Sequence, residues 1–163
     1  MATVTDNSTL TYTNAGTISD TIVGSGSVTF QGTATPNILT ANNTYTGGTT
    51  ISQGALVVGN GGTSGAIVGD VVAGVTTSNS GINFARSDNI TFAGNISGLG
   101  YVAQQGTGVL TLAGNNSYGS TTDVGAGTLA FSSDSNLGTG DVRLIGGGSR
   151  FAQCSVISPS SGI

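Results

Sequence analysis

The chain has 163 residues, 29 of them Gly and only 2 Pro, and its charged fraction of 6% compares with about 25% in an ordinary soluble domain. Seven Asp against Arg86, Arg143 and Arg150 give a net charge of −4 with no Lys, Glu or His, so no clustered basic face exists for nucleic acid or an anionic membrane surface. No apolar run approaches the ~18–20 residues of a spanning helix. Short alternating runs of Val, Ile and Thr, with no sustained 3.6-residue period, predict one all-β unit and argue against disorder.

Residues 2–20 (ATVTDNSTLTYTNAGTISD) read as one or two polar, Thr-rich strands. Residues 22–31 alternate around two glycines and predict a strand at 28–30. Pro36 cannot donate to a ladder and marks a corner. Strands are expected at 38–40, 49–51 and 55–58, separated by NNTYTGG and SQG, and 59–65 (GNGGTSG) is a turn or short excursion. Further strands are expected at 66–73, 82–85 and 90–93, broken at GVTTSNS and RSDN. The same signals place strands at 101–104, 109–112, 121–124 and 128–131, with 141–145 and 150–152 closing a single unit, 1–154. The Ser- and Pro-rich end, 155–163, reads as a frayed tail. The single Cys154 permits no intramolecular disulfide; it reads as a small buried hydrophobe, or as a thiol able to cross-link copies.

Two stretches organise the rest. Residues 108–131 (GVLTLAGNNSYGSTTDVGAGTLAF) have an earlier copy at 37–58 (NILTANNTYTGGTTISQGALVV). Setting Tyr45 on Tyr118 matches Leu39 to Leu112, Asn43 to Asn116, Thr49 to Thr122, Ile51 to Val124, Gly54 to Gly127 and Leu56 to Leu129. The offset is 73 residues without a gap, and after one indel 22–28 (IVGSGSV) falls on 96–102 (ISGLGYV). The modules therefore run from about 22 to 58 and from 96 to 131.

Short strands every eight to ten residues fit a sandwich, a barrel or a β-helix. A sandwich gains nothing from one motif recurring at long range, whereas a β-helix stacks equivalent positions coil on coil. On this reading 73 residues are three coils of about 24, six to seven coils in all, with inward Leu, Val and Ile stacked about 4.8 Å apart. A β-sandwich is the alternative. Gly residues are assigned to corners, Asn42, Asn43, Asn115 and Asn116 to turns in the left-handed region with a stacked-amide ladder in addition, and Tyr45 and Tyr118 to caps on those corners.

The pattern GxGxLTLxGxNxYxGxTxxxxGTL resembles the passenger-associated repeat of bacterial autotransporters, and 133–148 (SDSNLGTGDVRLIGGG) resembles the segment that often follows it. The resemblance implies a right-handed parallel β-helix and a secreted or cell-surface location. The start, MATVTDNSTL, has neither a basic nor an apolar leader region, so a mature piece is expected, with the family's signal peptide and membrane barrel outside it.

Catalytic chemistry finds little footing. Glycoside cleavage needs two carboxylates about 5–9.5 Å apart, and the candidates are Asp70, Asp123, Asp134, Asp141 and the Arg86/Asp88 pair. Asp beside Gly or Asn is usually a turn residue. The Gly-Asp pairs at 69–70 and 140–141 do not repeat at nine residues as a Ca²⁺ roll requires, and no metal site or other cofactor is expected. No GxSxG motif with a His is present. Arg86-Ser87-Asp88 reads as an exposed turn, and the Asn-x-Ser/Thr sites at Asn7, Asn42, Asn89, Asn95 and Asn115 as chance in so Asn-rich a chain.

What remains is a non-enzymatic, structural or adhesive segment of an autotransporter passenger. Its expected partners are itself, end to end or side to side, or a host surface ligand, with no nucleic acid and no membrane insertion. A free-standing self-assembling solenoid is the alternative, and a carbohydrate-active β-helix a third reading.

Overall fold

The computed structural model describes residues 1–32, 36–146 and the backbone of 155–157. Each short alternating run finds its hydrogen-bonding partner in a run about twenty residues away, and every named pairing is parallel. Three strands at most make one coil. The first is β1 (Thr3–Thr5), β2 (Thr9–Tyr12) and β3 (Gly16–Ile18); the second is β4 (Thr21–Val23), β5 (Ser27–Phe30) and β6 (Asn37–Leu39). There follow β7 (Thr49–Ile51), β8 (Ala55–Val58), β9 (Val71–Ala73), β10 (Gly81–Phe84), β11 (Ile90–Phe92), β12 (Ile96–Ser97), β13 (Tyr101–Gln104) and β14 (Val109–Leu112). The chain closes with β15 (Thr122–Val124), β16 (Thr128–Phe131), a 3₁₀ turn at Asp134–Asn136, β17 (Val142–Leu144) and β18 (Ser155–Ile157).

These stack into a parallel β-solenoid of about seven turns. One side is a seven-stranded sheet, β3-β6-β8-β10-β13-β15-β17, and the next is five-stranded, β2-β5-β7-β9-β12. The third side begins as β1-β4 and ends as β11-β14-β16-β18. Between those two sheets it is held by single contacts, such as the Asn42–Ala66 bridge and the bond from Thr44 N to Ile22 O.

Coil length differs from the sequence expectation. Gly16, Asn37, Leu56, Ile82, Val102, Thr122 and Val142 stand in register along the seven-stranded sheet. Their spacing averages 21 residues, not 24, and the longest step, from Leu56 to Ile82, holds the two long loops 59–65 and 74–80. The expected strand at 66–73 shortens to Val71–Ala73, because Gly69 at φ 80° turns the backbone out of the ladder. Residues 2–20 supply a whole three-stranded coil. Ser155–Ile157, expected within a frayed tail, pair with β16, whose outer edge offers unpaired N–H and C=O groups. The expected strand at 150–152 and Cys154 lie outside the described residues.

Period-two alternation sends every second side chain into the coil. Leu39, Val58, Phe84, Gln104 and Val124 form one inward file, and Val28, Thr49, Val71 and Ile96 another, all buried. Like does not always stack on like. Phe84 is followed by Gln104, and Ile51 by Ala73, so side-chain volume is not constant along a file. Gln104 is tolerated because its Nε2 donates to Gly106 O (3.0 Å) and Gly108 O (2.9 Å), which closes the following turn.

Candidate functional site

The repeated residues build one interior device twice. Asn43 is buried, and its Oδ1 accepts from Ile22 N (2.8 Å) one coil away, while its Nδ2 donates to Ala41 O and Ala66 O. Asn116 accepts from Ile96 N (2.7 Å), and its Nδ2 donates to Asn136 O. Each amide therefore bridges coils that the strand ladders leave apart at a corner. Tyr45 and Tyr118 do not cap the corners from outside; both are fully buried, and their hydroxyls share hydrogen bonds with Thr49 Oγ1 (2.7 Å) and Thr122 Oγ1. The i to i+4 spacing turns each phenol onto a buried hydroxyl that would otherwise be unpaired. Burial pushes the Tyr45 phenol up to about 12, against the bond to Thr49, and raises Tyr118 in the same way.

Leu39, Leu56, Leu112, Leu129, Ile51 and Val124 all point inward and are buried. Gly54 and Gly127 turn the chain at φ 74° and 61°, and a Cβ on Gly127 would collide with Gly108 O. No non-Gly residue among those described has positive φ, so the left-handed turns expected at the paired Asn do not form. Asparagine serves the coil stacking instead. Asn7, Asn42, Asn89 and Asn95 each accept, through Oδ1, a backbone N–H from the following coil: Ser25, Gly65, Val109 and Asn115. Exposed Asn-x-Ser/Thr sites thus have a structural reason to be Asn.

Two ion pairs mark the outer surface. Arg86, expected in an exposed turn, has a side chain only 11% exposed. Its Nε and Nη2 donate to Asp88 Oδ1 (2.8 Å) and Oδ2 (2.7 Å), and Nη1 and Nη2 reach Gly65 O and Thr63 O. This planar fork pins the glycine-rich loop 59–65 to the next coil. The bond from Arg86 holds the Asp88 carboxyl below its ordinary range.

The second pair crosses the seven-stranded sheet. Asp123 on β15 and Arg143 on β17 are direct register partners, with Arg143 Nε and Nη2 donating to Asp123 Oδ1 and Oδ2 at 2.7 Å each. The Arg143 bond holds Asp123 below the usual carboxylate range. Beside them lies an open polar cleft of about 490 Å³ lined by Ser78, Asn79, Tyr101, Ser120, Thr121, Asp123 and Arg143. Its wall is the loop 74–80, seven residues long where the equivalent turns 52–54 and 98–100 have three. Gly81 lets Tyr101 lie down on β10: a Cβ there would meet the Tyr101 ring at 2.6 Å.

Of the carboxylates weighed as catalysts, Asp123 is tied up with Arg143 and Asp88 with Arg86, while Asp70 Oδ1 accepts from Asn95 N (2.8 Å). Asp134 and Asp141 are exposed. No group of three or more His, Cys, Asp or Glu placed to hold a metal ion occurs among the described residues, and none of their helices is long and apolar enough to cross a membrane. Sequence reasoning missed the cleft. Its one trace was the length of GVTTSNS, read only as a break between strands.

The model of the passenger-associated-transport-repeat family matches residues 38–58 and 102–131. The adhesin BmaC autotransporter of Brucella suis biovar 1 (strain 1330) is 46% identical over 63 residues, which are 39% of this chain and 2% of that protein. The chain thus spans a very small part of the curated relative it matches. No solved structure matches.

Proposed function

We propose that this chain, which carries two passenger-associated transport repeats, is a rod segment of a cell-surface, adhesin-like autotransporter passenger, with a structural and adhesive role and not an enzymatic one. The observation that carries this reading is the duplicated Asn–Tyr–Thr corner, which falls within the matched repeats and serves only to hold coil on coil. Stacking of this kind suits a chain that folds progressively from one end, since each coil templates the next. The adhesin name of the relative supports a surface or extracellular location. The test is display: the chain, placed between a signal peptide and a translocating barrel in a bacterial host, should reach the surface as a protease-resistant rod and make the cells adhere to matrix-coated wells. Efficient display without any gain in adhesion would reduce the role to that of a stalk, and failure of display would remove the passenger reading.

Self-association is a second reading, and the outermost described rung of the seven-stranded sheet favours it. Val142 and Leu144 take the inward places of β17 yet are 39% and 59% exposed, beside Ile145 at 53%. Exposed apolar side chains at the outermost described strand of a sheet favour association with another surface. Sedimentation velocity over a hundredfold concentration range, with reductant to silence Cys154, should show end-to-end oligomers; one monomeric boundary throughout would discard this reading.

A further inference from the structure

We propose that the cleft over β13 and β15 binds a neutral polysaccharide, through the ring of Tyr101 and the polar groups of the Asp123–Arg143 pair. This deepens the adhesive reading by naming its ligand class, and it rests on that reading.

Three observations carry it. First, the cleft combines what a sugar ring requires. Tyr101 is half-buried against Gly81 and lines the cleft with an aromatic ring suited to pyranose C–H groups. Around it stand two kinds of hydroxyl-binding group, the Ser78 and Ser120 hydroxyls and the Asn79 amide, while Thr121 Oγ1 accepts from Arg143 Nη2 (3.2 Å). Arg143 Nη1 carries no bond among the described residues and is left to donate to a sugar hydroxyl.

Second, the site is held rigid. The register pairing of β15 with β17 and the bidentate fork fix Asp123 and Arg143, and the Tyr101 ring rests on Gly81. Flanking Tyr101, Ser80 Oγ and Asn83 Oδ1 are buried without partners. Unpaired buried polar atoms are rare and tend to mark places where stability is given up to function.

Third, charge selects the class. The Arg143 cation is already matched by Asp123, and Asp141 lies near enough to act on it as well. No net positive charge is left for a uronate or sulfate, on a chain that is itself at −4. Nor is the cleft apolar enough for a peptide's hydrophobic anchors.

The test is affinity electrophoresis of the purified chain in native gels containing a soluble glucan, mannan, galactan or xylan, with polygalacturonate and dextran sulfate as anionic comparisons. At least one neutral polymer should retard the chain. Tyr101→Ala should weaken that binding tenfold or more. Asn79→Trp, on the exposed loop, should block the cleft without touching the coil stack, so a loss of fold in Tyr101→Ala leaves the test intact. Retardation by no neutral polymer, tighter binding to the anionic ones, or an Asn79→Trp variant that binds as the parent does, each overturns the proposal. The outcomes separate from the display experiment: soluble binding without adhesion of displaying cells would fail the adhesive reading alone, and adhesion without soluble glycan binding would fail this one.

Discussion

Leu39 and Leu112 hold the same place in the repeat, yet they stand on different sides of the solenoid. Leu39 on β6 belongs to the seven-stranded sheet, whereas Leu112 on β14 belongs to the four-stranded one. Three coils after Leu56 the register reaches Thr122, and its repeat equivalent Leu129 lies seven residues further, on the next side. The 73-residue offset is therefore three coils plus one side. The motif specifies strand, corner, strand with the right inward residues, and more than one side of the solenoid can host it.

Leu129 is fully buried between Leu110 and the β18 backbone. Leu129→Asp places an unpaired charge in the core and should cost about 4 kcal/mol. A thermal melt within a degree or two of the parent would show that the inward file is wrongly assigned.

Tyr118→Phe leaves Thr122 Oγ1 buried without its partner and should destabilise by about 1–2 kcal/mol. Tyr118→Phe combined with Thr122→Val should recover part of that loss. A double-mutant cycle in urea measures the coupling, and strict additivity would mean the bond contributes nothing.

Asn37 is fully buried on β6, and neither its Oδ1 nor its Nδ2 has a partner among the described residues. It occupies an inward place beside Leu56. Asn37→Leu should therefore stabilise the chain by about 1–2 kcal/mol, since an apolar side chain of similar size removes the desolvation cost. A lower denaturation midpoint would reveal a bond hidden from this geometry.

Acid should loosen the C-terminal coils. Asp123 has a folded value below its ordinary one because of Arg143, so its contribution is present above the unfolded value near 3.8 and is lost as pH falls through the lower folded value. Melting temperatures from pH 6 to 2 should fall below about pH 4, and less steeply in Asp123→Asn. Parallel curves for the two proteins would remove the ion pair from the account.

Asp134→Ala and Asp141→Ala alter exposed positions and should change stability by about 1 kcal/mol at most, with no activity lost. A polysaccharide-cleaving activity that disappeared with either change would overturn the non-enzymatic reading.

Local chemistry in the sequence was enough to determine the strands at Thr49–Ile51, Ala55–Val58, Tyr101–Gln104, Val109–Leu112 and Thr128–Phe131, because alternation and flanking Gly or Asn act within a few residues. It also determined the duplicated motif, and with it the solenoid and the inward Leu places. Which residues lie above one another was decided only in three dimensions. Register accumulates the length of every loop, and loops 59–65 and 74–80 stretch one coil to 26 residues without leaving a periodic signal. For the same reason Asp123 and Arg143, twenty residues apart, and Tyr101 with its cleft are products of stacking: each is an unremarkable side chain until neighbouring coils bring them side by side.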